Sequence, residues 1–214
     1  MSSLYRASTL AALLESGRDA APAIGAPERE ALTHGDLRAL CKRTVDSLNA
    51  MGIGRGDRVA MLLPNGPEMA ASFIAIACGA TTAPLNPAYR TEEFEFYLSD
   101  LNAKALVILK GMESPALAVA AARGIPIVEL APGHKAGDFT LHAATCSSAA
   151  AKTGFADEND IALVLHTSGT TSRPKIVPLS QINITASAYH IGNTLGLVED
   201  DVCLNIMPCF TSMA

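Results

Sequence analysis

The chain has 214 residues, 49% of them hydrophobic and 17% charged, with a formal net charge of −5. That length suffices for one large or two small domains with a sizeable core, and an acidic chain without a basic block argues against a nucleic-acid partner. The longest apolar run, residues 69–80, is too short to cross a bilayer, and the patch at 10–14, closed by Glu15, is too weak for a signal-peptide core.

In chain order, the first clear element is a helix. Thr33, with Asp36 three residues on, reads as an acidic form of the capping box. Leu37, Leu40, Cys41, Thr44, Val45 and Leu48 then share one face at helical spacing, and Gly52, Gly54 and Gly56 close the element. Residues 58–63 predict a strand ended by Pro64-Asn65-Gly66. Residues 67–79 predict a buried helix with Pro67 in its first turn. A short strand over 81–85, a turn at Asn86-Pro87 and a helix over 91–101 follow, the helix carrying Phe94, Tyr97, Leu98 and Leu101 on one face. A strand (105–109), a helix (114–123) and a strand (125–130) continue the alternation. Strands and helices alternating in this way predict an α/β fold, a largely parallel sheet with helices on both faces.

Residues 131–159 break the pattern. Gly133, Gly137 and the Ala/Ser-rich stretch 143–151 predict an irregular connection within the domain. A strand over 161–166 comes next. After a polar loop, Ser180 is a helix N-cap followed by Ile182, Ala186, Tyr189 and Asn193 at helical spacing. Residues 202–207 predict a final strand. The five cysteines (Cys41, Cys78, Cys146, Cys203 and Cys209) have no metal or disulfide spacing, so reduced, mostly buried thiols and a cytoplasmic location are expected. His34, His134, His142 and His190 have no metal-binding companions in sequence, His166 reads as a structural histidine, and Asp157, Glu158 and Asp160 read as a solvated acidic face rather than a magnesium site.

The loop after the 161–166 strand carries the chemistry. Thr167-Ser168-Gly169-Thr170-Thr171-Ser172-Arg173-Pro174-Lys175 places five hydroxyls, one glycine and two cations in nine residues. Glycine lets a backbone approach an anion closely, successive N–H groups form an anion-binding nest, and Lys175 adds a point charge. It is not the Walker pattern: Pro174 stands where the second glycine belongs, and Ile176, not a hydroxyl residue, follows the lysine.

This segment resembles the phosphate loop of the AMP-forming adenylating enzymes (acyl-CoA synthetases, luciferases and peptide-synthetase adenylation domains), whose pattern runs Thr-Ser-Gly-Thr-Thr-Gly-x-Pro-Lys-Gly. Ser172 and Ile176 replace two of its glycines, and the spelling is similar to the oxalate–CoA ligase branch. Leu32 to Leu37, Met51 to Val59, Leu63 to Glu68 and the Gly79-to-Pro87 segment also match the family in order and spacing. The resemblance implies that Thr167, Ser168, Gly169, Thr170, Thr171, Ser172 and Lys175 contact ATP phosphates. It implies ATP, Mg²⁺ and coenzyme A as cofactors and a carboxylic acid as substrate. The carboxylate attacks the α-phosphate, releasing pyrophosphate, and a thiol then displaces AMP to give a thioester.

The family's Tyr-Gly-x-Thr-Glu segment, its Thr-Gly-Asp segment and its C-terminal lysine domain do not occur in these residues. The expectation is therefore a partial N-terminal domain over 1–214, inactive alone and prone to self-association through exposed apolar surface. The alternative is a non-catalytic nucleotide-binding or interaction module on the same scaffold. The resemblance also implies His-Ile-His-Gly-Leu after Phe210, where Thr211-Ser212-Met213-Ala214 stands. One deleted base in a chosen synonymous coding of the family's residues reproduces that ending, so a one-base deletion in the gene or an error in its sequence is the expectation at this point.

Overall fold

The computed structural model describes residues 7–143, 149–167 and 174–209. Helix α1 (Leu10–Leu14) leads into a hairpin of β1 (Pro22–Ala26) and β2 (Arg29–Thr33). Then come α2 (His34–Ala50), β3 (Arg58–Leu62), α3 (Pro67–Ala77), β4 (Thr81–Pro84), α4 (Thr91–Asp100), β5 (Ala105–Leu109), α5 (Pro115–Ala122) and β6 (Ile127–Pro132). The remainder is β7 (Phe139–Ala143), β8 (Ile161–Thr167), β9 (Lys175–Ser180) and α6 (Gln181–Leu195).

Among the described residues, seven strands form one sheet in the order β7-β6-β5-β3-β4-β8-β9. The five inner strands run parallel, and β7 and β9 close the two sides as antiparallel strands. Strand pleating sends alternate side chains to opposite faces. Val59, Met61, Val107, Val128 and Leu130 therefore join a core beneath α2, α3 and the β1–β2 hairpin. Ala60, Leu62, Leu106 and Ile108 join a second core with Phe94, Leu98 and Leu101 of the α4 region and Ala116, Val119 and Ala120 of α5. Burial on both faces explains why these strands read as continuous apolar runs. The expected α/β architecture, with a largely parallel sheet and helices on both faces, is the one observed.

The first helix has its expected start. The Thr33 hydroxyl accepts the Asp36 N–H at 3.2 Å, and the Asp36 carboxylate accepts the Thr33 N–H at 3.3 Å. α2 and α3 approach closely beside Gly79, where an added Cβ would lie 2.7 Å from Val45 Cγ2. Cys41 and Cys78 are buried in the same region, and the hydrogen bond with Cys41, reinforced by burial, pushes the Cys78 thiol up and keeps it protonated. Cys203, by contrast, is exposed, and Cys146 lies outside the described residues.

Three expectations need correction. The stretch read as an irregular connection contains β7, paired with β6 from Val128↔Ala143 to Pro132↔Phe139. Phe139 turns into the core while Thr140 and His142 face outward and hydrogen-bond to each other at 2.9 Å, a period-two pattern present in the sequence but masked by the flanking glycines. The β9 strand was missed because Pro178 interrupts it. Proline is tolerated there because β9 is an edge strand. The strand expected over 202–207 is not formed. Val202, Leu204 and Ile206 stand 95%, 84% and 78% exposed, and the segment has no neighbouring strand to complete a ladder.

Candidate functional site

Of the phosphate-loop candidates, Thr167 ends β8 and Lys175 begins β9. Strand β8 is held in the sheet through Ala162, Leu163 and Val164, all buried. Its parallel pairing with β4 is supplemented by side chains: Thr81 Oγ1 donates to the Ile161 carbonyl and Thr82 Oγ1 to the Ala162 carbonyl, each at 2.7 Å. Both threonines are buried, so these bonds also satisfy hydroxyls that would otherwise be costly to bury.

Beyond Leu163 the β8–β9 register is regular, ending His166↔Ile176 and Thr167↔Lys175. Thr167, half-buried, and Lys175, exposed, therefore face each other at the mouth of the hairpin, past the carboxyl end of a parallel strand. Ligands of open α/β sheets bind outside those strand ends. Ser168, Gly169, Thr170, Thr171 and Ser172 lie outside the described residues.

His166, next to Thr167, is the best-anchored polar side chain here. Its Nε2 lies 3.1 Å from Asp100 Oδ2, its ring packs edge-on against Tyr97 at 4.7 Å, and its side chain is only 7% exposed. Burial lowers its pKa below the ordinary value, and Arg58 adds to the effect; Asp100 opposes both. An enclosed histidine with a carboxylate partner has the surroundings of a structural residue.

The acidic run before β8 is not simply a solvated face. Arg55 reaches both Asp157 and Asp160, the latter at 2.6 Å through Nε, and Asp160 Oδ2 also accepts the Asp157 N–H at 2.7 Å. Asp160 retains only 20% of its side-chain exposure. Burial acts to raise its pKa, but the Arg55 and Asp157 hydrogen bonds outweigh it and hold the carboxyl below its ordinary range. The backbone carbonyls of Glu158 and Asp160 receive the first N–H groups of α6, from Ile182 and Gln181.

Gln181 is the residue that sequence reasoning overlooked. It is fully buried; its Oε1 accepts the Leu10 N–H at 3.0 Å and its Nε2 donates to the Ala77 carbonyl at 2.6 Å. One side chain thus bridges the starts of α1 and α6 and the end of α3. A lone glutamine at a helix start carries no sequence signal for that role. Among the described residues, no cluster of three or more His, Cys, Asp or Glu side chains could hold a metal, and no helix is long and apolar enough to cross a membrane.

Comparison with known proteins agrees with this architecture. A probable CoA ligase of Humulus lupulus is 40% identical over 188 residues, covering 84% of this chain and 35% of that protein. The oxalate–CoA ligase of Arabidopsis thaliana is 39% identical over 209 residues, covering 94% of this chain and 41% of that protein. The chain thus spans little more than a third of the length of these curated relatives. A solved ATP-bound RpMatB-BxBclM chimera superposes with a TM-score of 0.75 at 26% identity, covering 95% of this chain and 40% of that one. The family described as AMP-binding enzyme matches residues 14–214, and with that coverage and these relatives the chain belongs to it.

Proposed function

We propose that residues 1–214 are part of the N-terminal domain of an ATP-dependent, AMP-forming acid–CoA ligase, and that Thr167, Ser168, Gly169, Thr170, Thr171, Ser172 and Lys175 hold the ATP phosphates. The observation that carries this reading is the β8–β9 register, in which a threonine hydroxyl and a lysine ammonium oppose each other beyond the end of a parallel strand. Hydroxyl donors and a flexible point charge suit a polyphosphate, and Lys175 has no ion-pair partner among the described residues that a phosphate would have to displace. The relatives named as CoA ligases and the ATP-bound chimera support the same chemistry.

In that chemistry a carboxylate oxygen attacks the α-phosphorus of ATP and the bond to pyrophosphate breaks. The thiol of coenzyme A then attacks the acyl carbon and AMP leaves. The protein acts by placement and by stabilising charge on the phosphates. Mg²⁺, when bound with ATP, neutralises part of that charge. A carboxylic acid is the substrate, with the oxalate–CoA ligase similarity putting oxalate first in any panel. The buried thiols Cys41 and Cys78 suit a reducing compartment, so the cytoplasm is the proposed location.

The test is binding of a fluorescent ATP analogue with Mg²⁺ to the 214-residue chain. Saturable binding, weakened about ten-fold or more by Lys175→Ala, is expected. Binding indifferent to Lys175→Ala would refute the site. The same chain is expected to show no carboxylate-dependent ATP–pyrophosphate exchange, and exchange lost on Lys175→Ala would contradict that.

A further inference from the structure

On the opposite edge of the sheet, where the parallel strands begin, lies a half-open groove of about 400 Å³. Its floor is apolar: Ile53, Leu98 and Val128 are buried, with Ile125 and Ala143 partly so. Its rim carries Lys104, just before β5, and Arg123, at the end of α5, with Ser99 and Asn102 beside them. Among the described residues no acidic side chain lines it, although the chain as a whole is acidic.

The two cations have no structural task that accounts for them. Half of the described arginines and lysines are committed: Arg18, Arg29, Arg38, Lys42, Arg43, Arg55 and Lys135 each hold a carboxylate. The side chains of Lys104 and Arg123 hold none among the described residues. Nor are they needed to cap the helices that end at the groove. The closing carbonyls of α4 are taken by the N–H groups of Leu101, Asn102 and Ala103, and those of α5 by Arg123, Gly124 and Ile125. Two unpaired cations over an apolar floor therefore face a space large enough for a small organic ligand.

We propose that this groove binds an amphiphilic carboxylate, one acid group on a short alkyl or aryl body. The carboxylate sits between the Lys104 ammonium and the Arg123 guanidinium, whose planar fork matches carboxylate geometry. The body covers Ile125, Pro126 and Ala143, the apolar lining that reaches solvent above the buried Ile53, Leu98 and Val128. This site is separate from the proposed nucleotide site: it lies before the parallel strands, and Thr167 and Lys175 lie after them. It does not depend on the ligase reading.

Calorimetric titration of the intact chain with octanoate tests it, with acetate and octan-1-ol as probes lacking the apolar body or the charge. Saturable octanoate binding is expected, falling about ten-fold or more in the Lys104→Ala/Arg123→Ala variant and with added salt. Acetate and octan-1-ol are each expected to bind at least about ten-fold more weakly than octanoate. In the unsubstituted chain, amide NMR shifts should centre on Ser99, Asn102 and Gly124, which tests the location without any variant. Lys175→Ala should leave octanoate binding intact while weakening the ATP analogue, so failure at one site is distinguishable from failure at the other. The proposal is overturned by any of four results: no saturable binding; octanoate binding that survives the double substitution or is lost with Lys175→Ala; octan-1-ol or acetate binding as tightly as octanoate; or shifts centred elsewhere.

Discussion

At His166, burial and a neighbouring carboxylate act on one imidazole in opposite directions. Because burial holds the His166 pKa below its ordinary value despite Asp100, the folded state binds its proton less readily than the unfolded chain. The sign follows: this contribution to stability is fully present above the unfolded value, near 6.5, and is lost as pH falls through the folded value. Asp100→Asn removes the one group that raises the pKa, so NMR titration of His166 should show a further drop; a rise would mean that the pairing is misassigned. Asp36 and Asp160 carry the same direction at lower pH, Asp36 through the Lys135 and Thr33 hydrogen bonds and Asp160 through Arg55 against the opposing effect of burial. Their contributions are present above the ordinary carboxylate value and are lost in acid. Arg55→Ala should leave the Asp160 carboxylate short of its partner and destabilise the chain, read as a fall in the urea midpoint at neutral pH. An unchanged midpoint would show that Arg55 is replaceable by water.

At the scale of elements, α2 is fixed both by its own cap and by its packing on α3. The capping box at Thr33 and Asp36 satisfies donors that the helix cannot satisfy itself. Thr33→Ala should cost about 1 kcal/mol and Thr33→Ser much less, measured by chemical denaturation. The close approach at Gly79 makes a different prediction. Gly79→Ala should destabilise by about 1–3 kcal/mol, because the new methyl must displace Val45, which is itself buried. Val45→Ala in that background should recover part of the loss. Additive losses would place the strain somewhere other than between these two residues.

At the scale of the whole molecule, the two ends of the sheet order differ. The β7 side is tied down through Arg43 to Asp138 and through Arg29 to the carbonyls of Gly133 and Lys135. The β9 side carries α6 with Ile182, Ile191 and Leu195 exposed, followed by Leu197 and Val198 and the uncovered 202–207 segment. So many exposed apolar side chains mark an interface or an aggregation liability. The 214-residue chain should therefore bind a hydrophobic dye and self-associate with rising concentration, in light scattering as well as chromatography. Substituting Ile191 and Leu195 with serine should reduce both. A concentration-independent monomer that excludes the dye would show that the surface is covered in solution.

What the sequence by itself determined is whatever depends on neighbours along the chain. Helix starts at Thr33 and Ser180 follow from capping chemistry and that at Pro67 from a proline in the first turn, the inner strands follow from short apolar runs between turns, and the proposal of a phosphate loop rests on an ordered run of hydroxyls, glycine and cation. Only the tertiary structure decided the rest. Whether 139–143 and 175–180 become strands depends on the open sides of β6 and β8, and 202–207 joins no ladder although its sequence has strand character. The roles of Gln181, Arg55 and the Lys104–Arg123 pair likewise rest on partners or spaces brought together from distant parts of the chain, and a backbone hydrogen bond or a buried polar contact of that kind leaves no local pattern to read.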